Sequence, residues 1–190
     1  MNDYHGEEQF NNRRFKEGQV FPADFEECDF HNCDFSEINL SSCRFTDCHF
    51  EGCNFSGAKI LKTAFQNCNF KDCKMLGLAF ESCSDFAFSP SFEGCNLQHS
   101  SFYTLSFKGA NFKNCNLAAV DFSEAKLSEA NFDSSNLMGA IFSQTDLEKA
   151  NFSGAVNFDI NPNQNRIKGA IFDRASLEGL LSAYFIKIKG

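Results

Sequence analysis

A large apolar side chain recurs at every fifth residue over most of this chain. The slots run Phe15, Val20, Phe25, Phe30, Phe35, Leu40, Phe45, Phe50, Phe55, Ile60, Phe65, Phe70, Met75 and Phe80. After a jump of twelve they resume at Phe92 and continue through Leu97, Phe102, Phe107, Phe112, Leu117, Phe122, Leu127, Phe132, Leu137, Phe142, Leu147 and Phe152. Of these 27 slots, 18 are Phe and 6 are Leu, so the interior is built from large rings and branched chains. A period of five fits neither an α-helix at 3.6 nor a strand at 2.0. It requires a coil in which each pentad makes one side and successive turns bury one another.

A second inward position lies two residues before each slot and is nearly always small: Ala23, Cys28, Cys33, Cys43, Ala110, Ala130 and Ala150 are examples. The residue between the two inward ones is usually Asn or Asp, as at Asp24, Asp34, Asn54, Asn111 and Asn151. These side chains bond readily to their own backbone turn, which a sharp corner needs. The last two residues of each pentad are mostly polar and suit a solvated face.

The unit small–Asn/Asp–Phe/Leu–polar–polar resembles the pentapeptide-repeat family, most plainly in Cys53-Asn54-Phe55-Ser56-Gly57, Ala110-Asn111-Phe112-Lys113-Asn114 and Ala150-Asn151-Phe152-Ser153-Gly154. The resemblance implies an all-β fold, a right-handed quadrilateral β-helix with four pentads per coil, followed by a short C-terminal helix and strand. At four slots per coil the 27 slots make almost seven coils, a stack on the order of 33 Å long. The expected organisation is an N-terminal cap over 1–14, the repeat over 15–155 with an irregular insertion at 84–91, and a C-terminal cap or dimerisation segment over 156–190.

All ten cysteines fall on the small inward slot, and none forms the C-x-x-C of a metal knuckle. Cys28, Cys48 and Cys68 should stack on successive coils, as should Cys33, Cys53 and Cys73. Their expected role is that of small buried fillers; stacked thiols fit a reducing compartment. The first eight residues lack the basic and apolar regions of a signal peptide, no run of eighteen apolar residues exists, and a cytoplasmic protein is expected.

Within 84–91, Phe86 and Phe88 are off both registers of the repeat. Their rings either fold back onto the coil at a bulged corner, or protrude with Asp85 as a partner-binding loop. Beyond Phe152 the repeat is expected to dissolve. Asp173 suits a helix N-cap, with Leu177, Leu180, Leu181 and Tyr184 on one helical stripe, and 185–189 alternates like an edge strand. With Phe185, Ile186 and Ile188 these residues suit either a cap on the last coil or a symmetric dimer contact. The stretch Asp159-Ile160-Asn161-Pro162 with Asn165-Arg166-Ile167, and the apolar tail after it, resembles the ending of the quinolone-resistance (Qnr) and microcin-immunity branch, whose appendage joins two protomers end to end.

Net charge is −8. Nine acids (Glu17, Asp24, Glu26, Glu27, Asp29, Asp34, Glu37, Asp47, Glu51) and one base, Arg44, lie between residues 17 and 51, and the rest of the chain is neutral in sum. An acidic surface at Glu26, Glu27, Asp29, Glu37, Asp47 and Glu51 is expected. It disfavours direct nucleic-acid binding, because phosphates demand bases, and attracts proteins that normally bind DNA; it would equally serve only to keep the rod soluble. Resemblance to the Qnr branch implies a rod-shaped DNA mimic that engages DNA gyrase or topoisomerase IV. A dimer of two such stacks would span on the order of 70–80 Å, about 20–23 base pairs. The chain departs from that branch in concentrating its acid in the N-terminal coils and in lacking a long inserted loop.

No Gly-rich phosphate loop, H-E-x-x-H or nucleophile elbow is present, and His31, His49 and His99 sit on outward positions. The chain is read as not an enzyme, with no cofactor, metal or membrane partner. Its expected function is a gyrase-binding DNA mimic that protects against a quinolone or microcin-type poison; the alternative is a non-catalytic scaffold for another protein.

Overall fold

Nine phenylalanines, Phe10, Phe30, Phe50, Phe70, Phe92, Phe112, Phe132, Phe152 and Phe172, form one unbroken stack, with neighbouring ring centroids 4.7–5.5 Å apart and nearly parallel planes. The spacing is that of adjacent β-strands, so each ring marks one coil. The computed structural model describes residues 3–16, 23–187 and 189; Val20, Glu17 and Ile188 lie outside the described residues.

The coil has four sides, and one turn takes twenty residues. Phe10 pairs with Phe30, Phe25 with Phe45, and Phe50 with Phe70 in parallel register. Across the insertion the step becomes twenty-two, Phe70 to Phe92, and then returns to twenty, Phe92 to Phe112. On the first side four short strands, Asp3–Gly6, Ala23–Glu26, Arg44–Thr46 and Ala64–Gln66, make one parallel sheet. The second side carries a six-stranded sheet from Gln9–Asn11 to Asn111–Lys113, and Asn151–Phe152 pairs with Ile171–Phe172 beyond it. The remaining sides are joined by single bridges such as Asn54 to Lys74 and Asn116 to Asn136. The fold is a right-handed quadrilateral β-helix.

The interior is a lattice of rings. Along each stack the planes are parallel, while rings on neighbouring sides meet edge to face: Phe25 and Phe30 at 72°, Phe50 and Phe55 at 77°, Phe107 and Phe112 at 83°. Both arrangements suit the quadrupole of the ring. Burying each side chain contributes about 1.5–3 kcal/mol, so the stacks supply most of the driving force for coiling.

The rod is longer at both ends than the apolar slots alone suggest. His5 lies flat on Phe25, Phe10 on Phe30, and Phe15 on Phe35, so 3–16 is itself a coil, and Arg13 places its guanidinium over the Phe10 and Phe15 rings. Beyond Phe152, Asp146 bridges Arg166 and Phe172 stacks on Phe152. The eight steps from Phe10 to Phe172, at roughly 4.8 Å each, make a stack of about 38 Å.

The corner chemistry differs from expectation in one respect. The Asn or Asp before each slot does bond its own turn: Asp34 accepts the Ser36 N–H at 3.0 Å, Asn54 that of Ser56 at 3.1 Å, and Asp121 that of Ser123 at 2.8 Å. The left-handed residue, however, is the one two places after the slot, as at Glu27, Asn32, Glu37, Asp47, Asn67 and Glu129. That position turns the chain outward, so its side chain projects from the edge of the rod.

The C-terminal helix is a run of 3₁₀ turns, Arg174–Leu180 and Ser182–Tyr184. Asp173 does not cap it; its carboxylate accepts the Gly154 N–H at 2.7 Å, tying the tail to the coil below. Gly179 donates its place to close packing: a Cβ there would sit 2.3 Å from the Phe158 carbonyl, whose neighbour Ile160 bonds the Gly179 carbonyl at 2.9 Å. The alternating segment after it is not in a strand over 185–187; the strand at this end is Ile171–Phe172.

Candidate interaction surface

Because one turn takes twenty residues, charges twenty apart meet on the surface. Arg44 donates to Asp24 at 2.6 Å, Arg14 lies 3.6 Å from Asp34, and Lys71 donates to Glu51 at 2.8 Å. On the second side His31 lies 3.5 Å from Glu51, and a ladder of alternating sign runs on from Glu51 to Lys71 and from Glu93 to Lys113 at 3.6 Å. His49 approaches Asp29 at 3.6 Å. The hydrogen bond from Lys71 holds the Glu51 carboxyl below the usual range, and that from the Ser36 hydroxyl does the same for Asp34. Asp24, Asp34 and Glu51 are therefore compensated locally; of the expected patch this takes Glu51, while Asp29 faces the His49 imidazole.

A run of uncompensated acid lies on one edge, between the first and second sides. Glu7, Glu27 and Asp47 occupy the left-handed position on three successive coils, and none of them forms an ion pair among the described residues. Glu26, beside this edge, accepts the Tyr4 hydroxyl at 3.0 Å, and Asp47 accepts the Asn67 amide. Higher on the same edge, Glu129 is answered by Lys108 and Lys149. Glu37 is exposed on the edge between the third and fourth sides, away from the rest.

The insertion separates its two phenylalanines. Phe88 turns inward, fills the first-side stack between Phe65 and Phe107, and meets the Phe107 ring edge-on at 5.0 Å. Phe86 points out and is 76% exposed, beside exposed Asp85. The backbone beneath it is well tied: Ser84 N–H donates to Thr63, Ser89 N–H to Phe65, Gln66 Nε2 to the Phe86 carbonyl at 3.4 Å, and the Ser89 hydroxyl accepts the Asn67 N–H at 2.9 Å. Beside Phe86 lies a shallow groove lined by Arg44, Lys62, Ala64, Gln66 and Ser84.

At the far end, Leu180 packs on the core and Leu181 is half-buried, whereas Leu177, Tyr184, Phe185 and Ile186 are exposed, Phe185 at 95%. Tyr184 accepts the Asn163 amide at 2.8 Å. A cleft of about 630 Å³ opens between the tail and the last coil, walled by Val156, Phe158, Leu181 and Ile186. No helix among the described residues is long and apolar enough to cross a membrane.

Comparison with known proteins decides the family. The model of the pentapeptide repeats matches residues 23–60, 33–72, 48–84, 91–119 and 115–154. This chain belongs to the pentapeptide repeat family. Among solved structures it is similar to a trypsin-treated variant of QnrB1, a plasmid-mediated fluoroquinolone resistance protein, at 21% identity over 98% of this chain and 100% of that one, with a TM-score of 0.41. HetL, a pentapeptide repeat protein involved in heterocyst differentiation regulation in Nostoc sp. strain PCC 7120, matches at 18% identity over 89% and 84%, with a TM-score of 0.42. A pentapeptide repeat protein of the Arabidopsis thaliana thylakoid lumen matches at 19% identity over 80% and 89%, with a TM-score of 0.24. No curated protein matches the sequence.

Proposed function

We propose that this pentapeptide repeat protein is a DNA-mimicking interaction protein that binds DNA gyrase or topoisomerase IV in the cytoplasm and protects it from a quinolone or microcin-type poison. The observation that carries the reading is the edge of Glu7, Glu27 and Asp47, which sets uncompensated carboxylates one coil apart on a straight rod. A protein surface built to hold DNA is basic, and such an edge attracts it over a Debye length of about 10 Å. Exposed Leu177, Phe185 and Ile186 support a homodimer joined at the C-terminal ends. In a gyrase supercoiling assay poisoned with ciprofloxacin, adding the protein restores supercoiling; inhibition unchanged at excess protein overturns the reading.

A second reading has its own support. The uncompensated acid spans three coils and stops where Asn67 follows Asp47, so it does not run along the whole rod. That extent suits a non-catalytic scaffold with one local site for a basic protein, and such a protein would leave the poisoned assay unchanged.

A further inference from the structure

We infer that the partner is received on the first side of the N-terminal half alone, and that it offers an apolar pocket for Phe86 with basic side chains along one flank. The inference rests on the gyrase reading above and names the face used.

Three observations converge on that side. The first is Phe86 itself. Every phenylalanine of the 27 slots is buried, yet Phe86 stands 76% exposed on a backbone fastened to Thr63, Phe65, Gln66 and Asn67. An aromatic side chain on a backbone already fastened orders less chain on binding, and such rings dominate interface energies when they fill a pocket.

The second is the shape of the platform. The parallel sheet of the first side runs from Asp3–Gly6 to Ala64–Gln66 and ends where Gln66 bridges Phe88 in the antiparallel sense. Its outward face carries Gly6, Thr46, Ala64 and Gln66 beside the Arg44–Asp24 pair and Glu26, and its two ends carry exposed aromatics, Tyr4 at 65% and Phe86. From Tyr4 to Phe86 is four coil steps, about 19 Å, the scale of one protein contact.

The third is charge. The second side cancels itself through the ladder of Glu51, Lys71, Glu93 and Lys113. The edge of the first side carries three carboxylates on successive coils, Glu7, Glu27 and Asp47, with no ion pair among the described residues, and Glu26 next to them, whereas Glu37 stands alone on its edge. A basic flank on the partner would meet net negative charge there, and phosphate would be repelled.

The test measures binding of purified DNA gyrase to the full chain and its variants by calorimetry, with melting temperatures as a control for folding. Phe86→Ala should weaken binding by about tenfold or more, and Glu27→Gln with Asp47→Asn should flatten the dependence of affinity on salt. Leu61→Ala and Ile141→Ala, at exposed positions on the fourth side, should change affinity less than about twofold. If gyrase binds and Phe86→Ala leaves the affinity intact, or Leu61→Ala lowers it, the face is wrong and the gyrase reading stands. If gyrase does not bind the unaltered protein, both fall together.

Discussion

The lower and upper halves of the rod share one core but close their corners differently. In the upper coils the N–H of the inward residue bonds the carbonyl of the slot three places back: Ala110 to Phe107, Ala130 to Leu127, Ala150 to Leu147 and Ala155 to Phe152, at 3.0–3.3 Å. Between residues 23 and 75 the corners on either side of the second face lack that bond, and there the inward residue is cysteine. Cys33, Cys48, Cys53, Cys68, Cys73 and Cys95 donate Sγ–H to the slot carbonyl of the coil below, as in Cys53 to Phe30 at 3.3 Å and Cys73 to Phe50 at 3.4 Å. Cys53 also accepts the Cys33 N–H at 3.3 Å. Ser135 plays both parts at the last corner of this kind, accepting from Cys115 and donating to Phe112. The thiols are therefore hydrogen-bonding parts as well as fillers: at these corners each brings a further donor to a slot carbonyl of the coil below.

If only the corners differ, the core should respond alike in both halves. Phe50→Ala and Phe132→Ala, each in the nine-ring stack and at most 1% exposed, are each expected to cost about 3–5 kcal/mol by denaturant unfolding. A cost confined to one half would break the picture of a continuous stack.

Alkali should separate the halves. Burial pushes the Cys43 and Cys48 thiols up to about 12, and raises Cys68 and Cys83 as well. A thiol in the unfolded chain titrates near about 8.5. Since the folded state holds the proton more tightly, the stabilisation is complete below about pH 8.5 and is lost as pH rises toward about 12, by up to about 1.4 kcal/mol per pH unit for each thiol. Hydrogen exchange at pH 9–10 should show the coils of Phe25 to Phe70 opening before those of Phe112 to Phe152; the reverse order would refute the assignment.

A single corner sharpens the same contrast. Cys53→Ala removes a donor to Phe30 and an acceptor for Cys33 and is expected to cost about 1–3 kcal/mol. Cys53→Ser keeps both and should recover most of that loss in the same unfolding measurement. Equal losses for the two variants would return the thiols to the role of fillers.

Much of this was legible from spacing. The slots, the small inward position and the stacking of residues twenty apart all follow from the period of five. The same interval also pairs Asp24 with Arg44, Asp34 with Arg14 and Glu51 with Lys71, so the neutralisation of a third of the acidic stretch was open to anyone who applied it to charge. Other features were hidden for physical reasons. His5 holds a slot by stacking its flat ring on Phe25, which an apolar count passes over. The donor role of cysteine depends on whether a corner closes its own turn bond, and that is a backbone property. The 3₁₀ form of the tail reflects docking on Phe158 and Ile160, which the local stripe of leucines does not record.

The insertion holds the smallest effect, at Phe86, and the cleanest contrast, because two phenylalanines two residues apart have opposite surroundings. Phe88 is partly buried and closes the first-side stack over Phe107 and Phe80. Phe88→Ala opens a cavity between coils and is expected to lower stability by about 2–3 kcal/mol, less than a fully enclosed ring because solvent can reach the site. Phe86 makes no ring contact with the core, and Phe86→Ala should leave unfolding unchanged within about 0.5 kcal/mol. A ring whose removal costs the fold nothing, on a backbone bonded at four points, is held outward by structure that does not benefit from it. A measurable loss of stability for Phe86→Ala would show that the ring serves the coil after all.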